Sequence, residues 1–158
     1  VVIPDNVKSI GKNAFDKNTQ KIVLKDCNVI GYSVSLSDKI DLKMYTYVSN
    51  NIRKDAGAKV NLTLPDGTGK DILLSKCKTV TYNGVNTFLI SADVVPAYIT
   101  GTVTMKITGS DGKVKGSFTS SVYDYAKDYI KRSNYDDTYK SGLNLVKAML
   151  DYGAAAQT

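Results

Sequence analysis

Between residues 33 and 118, apolar and polar positions alternate with a period of two, the spacing that turns one face of an extended chain inward and the other outward. The run 39–48 shows it most plainly. Ile40, Leu42, Met44 and Val48 share one face, and Asp41, Lys43, Tyr45 and Tyr47 share the other. Residues 33–37, 59–64 and 71–75 read as further strands, and 50–57 as a loop. Pro65-Asp-Gly67 is a strong turn signal that stops the strand before it. Asn83-Gly84 joins 78–82 to 85–90 as a two-residue hairpin turn, and Gly109-Ser-Asp-Gly112 joins 102–108 to 113–118. Seven or eight short strands with no helix between them predict an antiparallel sandwich or barrel over residues 32–119, with a β-sandwich the expected form.

After residue 119 the period becomes helical. Ser120 or Ser121 is placed to cap a helix over 122–132, with Asp124 in its first turn and Val122, Ala126, Tyr129 and Ile130 on its apolar stripe. A turn at 133–137 leads to a second helix over 139–156, which Asp136 or Asp137 can cap. Its apolar residues form two adjacent stripes, Tyr139, Leu143, Val146, Leu150 and Gly153 beside Gly142, Leu145, Met149 and Tyr152. A helix so widely apolar needs cover. Leu143, Val146, Met149 and Leu150 are therefore expected to be buried against the sheet or the preceding helix, making 120–158 a two-helix hairpin packed on the sandwich. The same hairpin is expected to cover Tyr45 and Tyr47.

The first 31 residues follow neither period. Ile3, Val7, Ile10, Ala14 and Phe15 suit a tight coil of short extended pieces and turns pointing inward at irregular intervals. The run Ile3-Pro-Asp-Asn-Val-Lys-Ser-Ile-Gly-Lys-Asn-Ala-Phe15 closely resembles the repeat of BspA-type leucine-rich repeat proteins. Lys21-Ile-Val-Leu-Lys-Asp-Cys-Asn-Val-Ile-Gly31 resembles the opening of one more, degenerate turn. Repeats of this kind bury a core only by stacking. The resemblance thus implies that 1–31 is the terminal part of a solenoid and that the chain belongs to a longer multidomain protein. Further on, Ile40-Asp-Leu-Lys-Met-Tyr45, Leu62-Thr-Leu-Pro-Asp-Gly67, Ser121-Val-Tyr-Asp-Tyr-Ala126 and Leu145-Val-Lys-Ala-Met-Leu-Asp-Tyr-Gly-Ala-Ala-Ala-Gln157 resemble a second module. That module, of unknown function, recurs in large secreted proteins of anaerobic Gram-positive bacteria. The two resemblances imply a secreted or cell-surface bacterial location and carry over no catalytic residues. The fold class expected is mainly β (α+β): a sandwich with a repeat remnant before it and a helical hairpin after it.

Composition removes several chemistries. The 158 residues are 42% hydrophobic, ordinary for a folded domain, and no apolar run is long enough to insert in a membrane. The chain has no His, no Trp and no Glu, so its fifteen acidic residues are all Asp. Ser–His–Asp and Cys–His catalysis are excluded within it, and zinc would have only Cys27, Cys77 and Asp as ligands. No cofactor or metal is expected. The net charge of +6 comes from scattered lysines with only two arginines, Arg53 and Arg132, which reads as a solvated surface rather than a nucleic-acid stripe. Cys27 and Cys77 could form one disulfide or remain two buried thiols, and the low cysteine content favours the thiols. Asp66-Gly-Thr-Gly69 and Ser110-Asp-Gly112 lack the ligand spacing of calcium or phosphate loops and read as hairpin turns.

Tyrosine is the remaining signal. Six of the eleven tyrosines lie between Tyr123 and Tyr152. Exposed tyrosines stack on sugars and anchor protein interfaces, while helical spacing favours packing of Tyr125, Tyr129, Tyr139 and Tyr152 between helix and sheet. Tyr45, Tyr47, Tyr123 and Tyr135 are the candidate ligand contacts. The function expected is a non-enzymatic extracellular interaction or scaffold module. It would cap a leucine-rich repeat array and contribute to adhesion to a protein or polysaccharide at the cell exterior. The alternative is a carbohydrate-binding accessory module of a larger secreted glycan-degrading protein, marked by coplanar exposed tyrosines. A hydrolase would need two exposed Asp carboxyls facing each other across a cleft.

Overall fold

Ile40–Val48 is the seed of the core: Ile40, Leu42, Met44, Thr46 and Val48 are buried, and each residue between them is half-exposed. The structure is a computed structural model that describes residues 2–3, 7, 9, 22–37 and 39–158. In chain order its strands are β1 (Val2–Ile3), β2 (Ile22–Val23), β3 (Cys27–Leu36), β4 (Ile40–Val48), β5 (Lys59–Thr63), β6 (Gly69–Leu73), β7 (Lys78–Tyr82), β8 (Val85–Val94), β9 (Val103–Thr108) and β10 (Val114–Ser120). The helices are α1 (Asn50–Arg53), α2 (Val122–Ser133) and α3 (Leu143–Ala156).

Eight of the strands make two antiparallel four-stranded sheets, ordered β3-β4-β8-β7 and β10-β9-β5-β6. Their inner faces merge into one buried cluster in which Leu42, Met44 and Ile90 of the first sheet join Val60, Met105 and Ile107 of the second. The Thr46 hydroxyl reaches Met105 Sδ across that core at 3.9 Å. This is a mainly β, α+β fold of the sandwich type, as the alternation predicts. The Asn83-Gly84 turn is as expected: φ of 48° and 77° at its two central residues is a left-handed pair that matches the twist of β7 and β8.

Several boundaries differ from the expected ones, each for a local reason. The segment 50–57, expected as a loop, opens with α1, because Ile52 turns into the core and Arg53 lies over the Phe88 ring at 4.4 Å. The strand expected at 71–75 is Gly69–Leu73 instead; Leu74, 2% exposed, folds inward on a 3-10 turn and its N–H bonds to Ala58 O. β3 starts at Cys27, well before 33, and so crosses the expected boundary between repeat and sandwich at 31–32.

Ser121 caps α2, accepting a 3.0 Å bond from Asp124 N. The last helix starts at Leu143 rather than at 139. Asp136 caps a separate 3-10 turn at Asp137–Tyr139, and Gly142 leaves the room into which the Tyr129 hydroxyl fits. α3 buries Val146, Met149 and Gly153 and half-buries Leu143 and Leu150, packing on α2 and on the 3-10 turn Pro96–Tyr98. Its second stripe is covered only in part: Met149 is buried, but Leu145 and Tyr152 are each 61% exposed. One turn's width of small and buried residues satisfies the packing, and the rest faces out.

At the other end β1 and β2 pair in parallel, Val2 with Ile22 and Ile3 with Val23. Ile3, Leu24 and Ile30 are buried outside the main cluster, whereas Val7, expected to point inward, is 44% exposed. Ile10, Ala14 and Phe15, the rest of the repeat-like run's apolar positions, lie outside the described residues. Cys27 and Cys77 are both free. Burial pushes the Cys27 thiol up to about 12, with the Asp26 carboxylate adding to the effect. No helix among the described residues is long and apolar enough to cross a membrane.

Candidate functional site

α2 begins directly after β10, and its register decides which side chains it turns toward the first sheet. Val122 and Ala126 are buried beneath it; Tyr125, Tyr129 and Arg132, spaced at four and three residues, follow one another along its flank. Opposite them stand Tyr32 and Gly31 of β3 and Tyr82 at the end of β7. Between the two walls runs a groove of about 910 Å³ whose lining also takes in Tyr139, Asp124 and Asp128.

The rings hold one another. Tyr45 stacks on Tyr82 with centroids 4.2 Å apart and planes 22° apart. Tyr129 meets Tyr139 edge to face at 4.9 Å and 72°, and Tyr125 at 6.1 Å and 45°. Gly31 is required here because a methyl group at that position would land on the Tyr82 ring. Arg132 ties α2 to the turn that follows it: its Nε donates to Asp128 Oδ2 at 2.7 Å, its Nη1 donates to the Tyr139 hydroxyl at 3.3 Å, and its guanidinium lies 5.7 Å from the Tyr139 ring centre. A second hollow, about 530 Å³, lies beyond it, lined by Tyr135, Asp136 and Asp137 and sharing Asp128, Arg132 and Tyr139 with the first.

Partial burial sets the electrostatics of the tyrosines. It raises the hydroxyl pKa of Tyr32, Tyr82 and Tyr125; Tyr45 and Tyr139 add to the rise at Tyr82, and Arg132 opposes it. Burial alone would lower the Arg132 pKa, but the Tyr139 hydrogen bond and the Asp128 charge outweigh it and leave the pKa raised. A phenol that holds its proton more tightly when folded contributes stability in full below its unfolded pKa of about 10. It loses that contribution as pH climbs through the folded value. The melting temperature is therefore expected to stay level from pH 7 to about pH 8, to fall as the unfolded Cys27 thiol begins to ionise, and to fall further above about pH 10 together with the rise of tyrosinate absorbance. A level Tm through the whole tyrosine titration contradicts the packing described for these rings.

Of the four candidate contacts, Tyr45 is covered, and by Tyr82 rather than by a helix; its hydroxyl lies 3.2 Å from Ser33 Oγ. Tyr47 is half-buried on the same sheet face, opposite Asn28. Tyr123 is 39% exposed with Lys127 Nζ 5.1 Å from its ring centre, and Tyr135, 70% exposed, borders the second hollow. The structure does not gather these four into one surface. The groove belongs instead to Tyr32, Tyr82, Tyr125, Tyr129, Tyr139 and Arg132. The available signal in the sequence was the spacing Tyr125, Tyr129, Arg132 on one helix flank, with Asp128 four residues before one of the only two arginines.

The two glycine turns are structural. Asp66 accepts from the Thr68 N–H and hydroxyl, and Asp55 accepts from Ser110 N at 2.8 Å and Gly57 N at 3.0 Å, which holds its carboxyl below the usual range. Among the described residues no three Cys or Asp side chains stand together as metal ligands. Asp124 and Asp128 lie one helical turn apart on the same wall of the groove, not on opposite sides. Compared with known protein families, curated proteins and solved structures, the chain matches none.

Proposed function

We propose that the chain is a non-enzymatic extracellular interaction module of a bacterial surface protein. The segment that ends with β2 belongs to the last coil of a leucine-rich repeat array, β3 to β10 are a sandwich that caps it, and α2 and α3 are a helical hairpin packed on that sandwich. One observation carries the reading: β1 and β2 are parallel and offset by twenty residues, Val2 against Ile22. Parallel neighbours separated by one repeat length are the signature of a coil that climbs by one strand per turn, and leucine-rich repeats have periods of about 20–29 residues. The strand after that coil, β3, enters the sandwich after only three residues, Leu24 to Asp26, and Ser49 N bonds back to Asp26 O at 2.8 Å. A repeat array and a presenting domain joined that closely suit a module that displays a surface.

Adhesion to a protein or polysaccharide is the role such a module serves. Among the described residues the 910 Å³ groove has its carboxyls, Asp124 and Asp128, on one wall, which supports binding over glycan cleavage within it, since hydrolysis needs carboxyls on both sides of a scissile bond. Two extra copies of residues 3–22, fused before Val1, test the capping role. They are expected to stack on β1 and raise Tm in a single transition, because repeats stabilise through neighbour interfaces. A separate low-temperature transition with the original Tm unchanged contradicts the capping role.

A further inference from the structure

We propose that the groove beside α2 is a binding site for a neutral polysaccharide, gripped at a vicinal diol by Asp128 and Arg132. The proposal rests on the adhesion reading and names its ligand class and site.

The clamp is defined by what its two charged groups leave unused. A guanidinium has five N–H donors. Arg132 directs Nε to Asp128 and one Nη1 hydrogen to Tyr139, which leaves donors on Nη2. Asp128 accepts at Oδ2, and among the described residues no hydrogen bond reaches its Oδ1. Acceptor capacity on Asp128 and donor capacity on Arg132 are thus held within one ion pair that both hollows share. One hydroxyl of a diol donates to Oδ1 while its neighbour accepts from Nη2. Bonds to charged partners are the stronger kind.

Charge selects against the alternatives. Asp124 and Asp128 border the groove against one guanidinium, so an acidic glycan meets excess carboxylate. A cationic chain is drawn to the carboxylates, but it brings donors only to a site where the Arg132 guanidinium needs an acceptor. A neutral polyol meets no repulsion, and it matches the donors and acceptors together. The tyrosines supply apolar contact. Tyr129 and Tyr139, 72° apart, form a corner rather than a platform, against which the C–H edge of one sugar ring fits. The ligand is a chain rather than a single sugar. Asp128, Arg132 and Tyr139 are shared by hollows of about 910 and 530 Å³, so residues on either side of the clamped sugar have space to continue.

Isothermal titration of the intact chain with cellohexaose, xylohexaose and maltohexaose, beside hexagalacturonate as an acidic control, is the test. At least one neutral hexamer is expected to bind saturably and more tightly than the acidic one. Asp128→Ala and Arg132→Met are each expected to weaken it by about tenfold or more, while Tyr152→Ser, outside the groove, leaves it unchanged. Asp128 is 57% exposed at its side chain, so Asp128→Ala keeps the fold and carries the test even if Arg132→Met unfolds. Binding that survives Asp128→Ala, a preference for hexagalacturonate, or no neutral hexamer bound overturns the proposal. If the chain then still adheres to an extracellular protein, the adhesion reading stands and only the polysaccharide site falls.

Discussion

Leu42→Ala is expected to cost about 2–5 kcal/mol of folding stability, more than most other single changes in this chain. Leu42 is fully buried in β4, with Val34 and Ala92 as its cross-strand neighbours. Ala92 is already small and both flanking strands pair with β4 without a break from Ile40 to Tyr45, so the space vacated by the leucine has little means of closing. The loss comprises the transfer free energy of the removed carbons and the unfilled cavity. Urea denaturation should show a lower midpoint with an unchanged slope, since the folded surface is the same. Leu145→Ala is the matching control: the same chemistry at 61% exposure should move stability by no more than about 0.5 kcal/mol. If the two substitutions cost the same, the assignment of inner and outer faces is wrong.

The second large effect is at Gly153. A Cβ there would lie 2.6 Å from Ile99 Cγ2 and 2.9 Å from its Cδ1, and Ile99 is 2% exposed with little freedom to yield. Gly153→Val therefore forces α3 away from the Pro96–Tyr98 turn and is expected to cost about 1–3 kcal/mol. Alanine at the same place gains up to about 1 kcal/mol of helix propensity against a smaller clash, so Gly153→Ala should fall well short of the valine. The readout that separates detachment from general loss of stability is amide exchange. Gly153→Val should speed exchange in residues 146–156 and leave β4 and β8 protected. Uniform acceleration across the sandwich contradicts the description of α3 as an element docked from one side.

Much of the sandwich was legible because period-two alternation is enforced by the pleat itself. The face assignment of Ile40, Leu42, Met44 and Val48, and the Asn83-Gly84 turn, needed nothing beyond local chemistry. Edges were less legible. β3 runs back to Cys27 because β4 offers it a partner along its full length, a fact of tertiary pairing that the sequence 27–32 does not announce. The width of the apolar surface on α3 misled for a related reason: hydrophobicity shows which residues tolerate burial, not how much partner surface exists, and Leu145 and Tyr152 find none among the described residues. The groove was hidden more deeply. Tyr82 lies on a hairpin, Gly31 on an edge strand and Tyr129, Tyr139 and Arg132 in the helical part, so the site exists only once α2 is laid along β3. Tyr45, singled out from its strand face, is consumed by the stack with Tyr82, for which alternation gave no hint.

The proposed function stands or falls on whether this chain binds its ligand and leaves it chemically intact. That is measured by adhesion of the intact chain, immobilised at defined density, to surfaces coated with extracellular matrix proteins or neutral polysaccharides, with product analysis of the ligand afterwards. Saturable, reversible binding to at least one such surface is expected, competed by free chain, with the recovered ligand unchanged in length. Shortened glycan or peptide products, or no adhesion on any of these surfaces, would refute it.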